Sequence, residues 1–122
     1  KVAKYAAENC GINIKKICHS GKLRAEQTAG ILAEHLCVAT QEKVDALSPM
    51  DDPAVWFDRL ASKDENMMLV GHLPHMAKLA TILLCGDGEN PVIHYQMGCI
   101  LALRREENRL AVQWMIVPDL LP

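Results

Sequence analysis

The run "NMMLVGH", residues 66–72, constrains this chain more than any other stretch. Its apolar residues follow one another without polar alternation and stop at Gly71. A strand of this kind is covered on both faces, which is the setting of a parallel sheet whose crossover helices supply the cover. Pro74 then suits the first turn of a helix that buries Met76, Leu79, Ala80, Leu83 and Leu84. The chain therefore has to provide neighbouring strands and a helical layer on each side.

A second strand-to-helix junction lies upstream. "INIKKICHS" alternates apolar and polar residues and reads as a short strand ending near Ser20. From 22 to 36, the residues Leu23, Ala25, Thr28, Ala29, Leu32, Ala33 and Leu36 form the stripe of a helix. Ahead of the strand, Val2, Ala3, Tyr5, Ala6 and Ala7 fall at helical spacing to about Asn9, with Gly11 placed as a left-handed cap. Residues 37–53 lack a sustained period and carry Pro49 and Pro53, so they form a connection with one short strand near Val44. A helix follows from Pro53, with Asp52 as its N-cap and Val55, Trp56 and Leu60 as its inner face. After the breaker "CGDGENP", strands are expected over 92–95, 99–104 and 110–117, the last two joined by a hairpin at "REEN". The succession indicates an α/β sandwich with a mixed sheet, and without a repeat or linker residues 1–122 read as one domain.

Charge narrows the function classes. Lys and Arg number 13 against 15 Asp and Glu, a formal net charge of −2, and they are scattered. No basic stripe argues for nucleic acid and no polybasic tract for a membrane surface. No stretch approaches the roughly 20 apolar residues of a bilayer span, and "KVAKYAAENC" is an amphipathic helix pattern rather than a signal peptide. Five cysteines, odd in number and without C-x-x-C spacing, favour free thiols and a reducing cytoplasm. The sequence also opens inside a helix pattern, with no capping residue before Lys1, as if it began late.

In open α/β sheets ligands bind beyond the carboxyl ends of the strands, where both junctions lie. The first offers Ser20, Lys22 and Arg24 near a helix start, where free backbone N–H groups and the helix dipole favour an anion. A guanidinium there matches phosphate geometry. The second offers His72 directly after the strand and His75 in the next helical turn, and a histidine in this position exchanges a proton with a group held at the neighbouring junction. Singly, each is also an ordinary surface arginine or structural histidine; together they describe a phosphate pocket. A metal is not expected, since no carboxylate or thiolate stands at ligand spacing beside the two histidines. His19, His35 and His94 have no comparable setting, and Cys18 is not placed as a nucleophile.

"HSGKLRAEQTAGIL" and "MMLVGHLPHMAKLATILL" resemble two motifs of the histidine phosphatase superfamily, and most closely of its small SixA-type phosphohistidine phosphatases. "MGCILAL" through "AVQWMIVP" is similar to that family's closing strands. The resemblance implies a phosphoglycerate mutase-like three-layer α/β sandwich with a mostly parallel mixed sheet. It implies that Arg24 binds the phosphoryl group, that His72 is the second pocket histidine polarising it, and that Ser20 lines the pocket. It leaves His75 as a rim or structural residue and calls for no cofactor. The family's first strand ends in Arg-His-Gly, whose histidine is the nucleophile; neither the motif nor its strand occurs in these 122 residues. An N-terminally truncated domain is therefore expected, marginal in stability and negligible in turnover by itself, with a homodimer or a strand from another chain closing the sheet. The expected ligand is a phosphorylated protein histidine or a small phosphate ester. Asp51, Asp52 and Glu26 are acid candidates by position. The alternatives are a non-catalytic phosphate-binding or protein-interaction domain, and a plain structural domain.

Overall fold

The computed structural model describes residues 2–62, 65–86, 90, 92–107 and 109–121. Helix α1 spans Val2–Asn9, strand β1 Lys16–His19, α2 Leu23–Leu36, β2 Thr40–Lys43, α3 Ala54–Ala61, β3 Met67–Val70, α4 His75–Cys85, β4 Ile100–Glu106 and β5 Arg109–Ile116. Gly11, at φ +58°, takes the left-handed position beyond α1. Asp52 closes the start of α3 as expected, accepting the Ala54 N–H at 2.9 Å. Trp56 faces inward from α3, but Val55 is exposed.

Strands β2, β1 and β3 form a parallel sheet in that order, with β1 in the middle. Two apolar clusters cover its faces. Ala3, Ile17, Ala29, Leu32, Ala33 and Val38 form one, with α1 and α2 above the sheet and Met68, Val70 and Ile100 packed onto it. Leu47, Trp56 and Leu79 form the other beneath α3 and α4, joined by Leu69 and Leu83. Alternate residues of β3 thus feed opposite layers, as a two-sided strand requires. The result is a three-layer α/β sandwich.

Two expectations change. The strand foreseen over 92–95 is not formed; Tyr95 instead donates its backbone N–H to the Ile93 carbonyl at 3.0 Å and its hydroxyl to the Cys99 carbonyl at 3.2 Å. Local turn bonds here take up groups that a ladder would have used. The single mixed sheet is also divided: β4 and β5 pair only with each other among the described residues, as an antiparallel hairpin with an irregularity between Ala102 and Leu103. The hairpin turn falls at Glu107, φ +53°, while Asn108 of "REEN" lies outside the described residues. Between β3 and β4 opens a cleft of about 1230 Å³ walled by both strands, α2 and α4.

Candidate functional site

Parallel pairing decides where the two junctions go. His19 sits opposite Val70 in the β1–β3 ladder, so the chain leaves both strands on the same edge of the sheet and at the same height. Ser20 and His72 meet there, Oγ to Nε2 at 2.6 Å. The turn into α2 is held by local bonds: the Gly21 N–H, at φ +84°, donates to His19 Nδ1 at 3.1 Å, and the Lys22 N–H to Ser20 Oγ at 3.3 Å. Gly21 is required by its positive φ. No side chain caps the first turn of α2, and Arg24 stands exposed within it.

On the other side, β3 passes into α4 through Gly71, His72 and the cis Leu73–Pro74 peptide, and the His72 carbonyl accepts the Met76 N–H at 3.0 Å. Gly71 is set by close approach: a Cβ there would lie 2.8 Å from Met76 Sδ and 3.3 Å from the Leu47 carbonyl. Burial pushes the His72 imidazole below its ordinary pKa of 6.5, and the charges of Lys22 and Arg24 push it further. His72 is therefore neutral at pH 7, beside two cations. Among the described residues no carboxylate forms an ion pair with Arg24. A neutral imidazole, a hydroxyl and a free guanidinium at a helix start form an arrangement that suits a tetrahedral oxyanion. Arg24 and His72 also lie on the wall of the cleft, so the pocket opens into it.

The structure thus gathers Ser20 and His72 in contact and sets Arg24 close enough to act on the same ring. It does not place Asp51 and Asp52 as free acids: Asp51 Oδ2 accepts the Ser48 N–H at 2.8 Å, and Asp52 holds the start of α3. Glu26 is exposed in the first turn of α2. Of the two readings of His75, rim or structural, the structure excludes the rim. His75 is fully buried and neither ring nitrogen has a hydrogen-bond partner. Burial lowers its pKa first of all, Asp51 and Asp52 oppose this, and His72 and Lys78 add to it. Leu47 reaches both Gly71 and Leu79, so the 44–52 connection folds back over this junction.

Sequence reasoning missed one contributor. His19 was given no setting, yet its Nδ1 anchors the turn at Gly21; a histidine two residues before a glycine at a strand end was the available signal. Lys22, which the sequence offered beside Arg24, acts on His72 by charge. Among the described residues no three His, Cys, Asp or Glu side chains gather as a metal site, and no helix is long and apolar enough to cross a membrane.

No family model matches the chain, and no curated protein does. Among solved structures it is similar to that of the protein histidine phosphatase SixA complexed with tungstate, with a TM-score of 0.78 and 23% sequence identity. The match covers 97% of this chain and 77% of that one. At this identity the likeness establishes the fold.

Proposed function

We propose that this chain holds a phosphoryl group between its two strand-to-helix junctions, as part of a SixA-type phosphohistidine or phosphomonoester phosphatase domain. The observation that carries the reading is the 2.6 Å bond between Ser20 and His72, with Lys22 and Arg24 acting on the same imidazole. Arg24 takes two oxygens of the group through its planar fork. With His72 Nε2–H donating to Ser20 Oγ, the Ser20 hydroxyl donates to a third, and the uncapped first turn of α2 adds backbone N–H groups. Tungstate, bound in the structurally similar SixA, is a tetrahedral oxyanion like phosphate, which supports this assignment of ligand shape.

The chemistry of turnover is incomplete in this chain. The resemblance calls for a nucleophilic histidine in Arg-His-Gly, which these 122 residues lack. Without it no phosphohistidine forms by that route, and loss of a nucleophile removes most of the rate while binding survives. The chain by itself is a single oxyanion-binding domain with negligible turnover, suited to a phosphorylated protein histidine or a small phosphate ester, and working in the cytoplasm. The same pocket, with Arg24 exposed and without a carboxylate partner among the described residues, also suits a second reading, a non-catalytic phosphate-binding module.

Calorimetric titration with phosphate and with tungstate tests the common core of both. Binding that disappears in His72→Ala and Arg24→Ala is expected; binding indifferent to both substitutions contradicts the site. Hydrolysis above a denatured control, abolished by His72→Ala, would overturn the claim of negligible turnover.

A further inference from the structure

His19 ends the central strand β1, only 7% exposed and with its main chain fixed from both sides. It pairs with Val70 of β3 on one flank and with Lys43 of β2 on the other, and its carbonyl accepts the Val44 N–H at 2.8 Å. An imidazole carried on a backbone held in this way is a stationary acceptor. Its Nδ1 takes the Gly21 N–H at 3.1 Å, so Nδ1 bears no proton and the proton of the imidazole sits on Nε2.

That bond reaches from a side chain to the N–H two residues on, a closure that Asp and Asn make in turns. The closed loop of atoms runs through both backbone torsions of Ser20. What it fixes is therefore the direction of the Ser20 Cα–Cβ bond, and with it the place of Oγ. Without the closure, Ser20 would be followed by the most permissive of residues, a glycine at φ +84°. The Lys43 side chain covers that glycine, its Cδ and Cγ 2.8 and 2.9 Å from where a Cβ would stand, so the turn has no room to be stiffened by a larger residue. Held in this way, Ser20 Oγ meets His72 Nε2 at 2.6 Å and accepts the Lys22 N–H at 3.3 Å.

We propose that His19 is a positioning residue of the oxyanion site: by tying back the Gly21 N–H it fixes the backbone of Ser20 and holds Oγ against His72. The imidazole acts through Ser20 and does not itself meet the ligand. Its effect on affinity rests on the phosphoryl reading, whereas the Ser20–His72 contact that it sets can be measured without a ligand.

Two substitutions carrying the same amide group separate position from mere polarity. His19→Asn places an acceptor at the branch point that Nδ1 occupies; His19→Gln, closer in bulk to histidine, places it one bond too far out. His19→Leu, which has no acceptor, repeats the second case. Each variant is shown by urea unfolding to be folded at the working temperature. Calorimetry then measures tungstate affinity, and NMR follows the His72 Nε2 signal and the exchange of the Gly21 amide. Expected are tungstate affinities weaker by about fivefold or more in His19→Gln and His19→Leu, and within about twofold of the parent in His19→Asn. The Gly21 amide should exchange faster, and the His72 signal should move, in the first two only. Equal affinity in the Asn and Gln variants, or a His72 signal that moves in both or in neither, makes His19 a structural residue and overturns the proposal. If the parent itself fails to bind tungstate, the phosphoryl reading falls, and the His72 and Gly21 signals still decide the role of His19.

Discussion

Arg24 and His75 show how differently two charged or chargeable residues stand at the two junctions. Arg24 is exposed, without a carboxylate partner among the described residues, and so is free to spend its charge on a ligand. Charge-assisted hydrogen bonds contribute about 1.5–3 kcal/mol each. Arg24→Ala should therefore weaken phosphate binding at least about tenfold while leaving the thermal midpoint without ligand nearly unchanged, which calorimetry and a melting curve check together. His75 is buried without partners, and burial holds it neutral. Its pKa in the fold lies below the ordinary 6.5, so the unfolded chain takes up the proton first as pH falls. The contribution is whole above pH 6.5 and is lost as pH falls toward the folded-state pKa. Urea unfolding of His75→Gln between pH 7.5 and 5 should show a shallower loss of stability than the parent; identical slopes contradict this.

The elements were legible wherever one local signal decided them. The stripe from Leu23 to Leu36 and the apolar run ending at Gly71 gave α2, β3 and α4 nearly in place, because burial on one face or two imposes its own period. The junction residues Ser20, Arg24 and His72 were legible for the same reason, since strand ends locate them. What failed depended on distant partners. Residues 92–95 have strand-forming composition but find no ladder, and β-propensity expresses a fit to neighbours more than a backbone preference. For His75 the sequence left rim and structural readings open, because nothing in its own turn shows that it is wholly buried. Gly71 was read only as the stop of a strand, although its lack of a Cβ lets Met76 and the Leu47 carbonyl close over it. Gly71→Ala should destabilise the fold by about 1–3 kcal/mol, and Met76→Ala in the same chain should recover part of it. A double-mutant cycle by urea unfolding measures both.

At the scale of the molecule, β1 is paired on both sides while β3 and β4 line a cleft among the described residues, and stability should follow that asymmetry. Ile17 and Cys18 of the central strand are 0% and 1% exposed, so their amides should exchange slowest. Amides of β4 should exchange much faster despite the β4–β5 ladder, because the cleft exposes them; uniform protection across both sheets would contradict that asymmetry. The fold also determines how the site senses charge, since parallel pairing brings Lys22 and Arg24 to bear on His72 from a different junction. An oxyanion bound there offsets those cations and must raise the imidazole pKa. By linkage, affinity for an anion of constant charge then increases as pH falls through the bound-state pKa toward the free-state value. The most direct measurement is an NMR titration of the His72 ring against pH, with and without sulfate, in the parent and in Arg24→Ala. The account predicts a pKa below 6.5 without sulfate, a clear rise with it, and a smaller rise in the variant. A His72 pKa that sulfate leaves unmoved would contradict an oxyanion site between these two junctions.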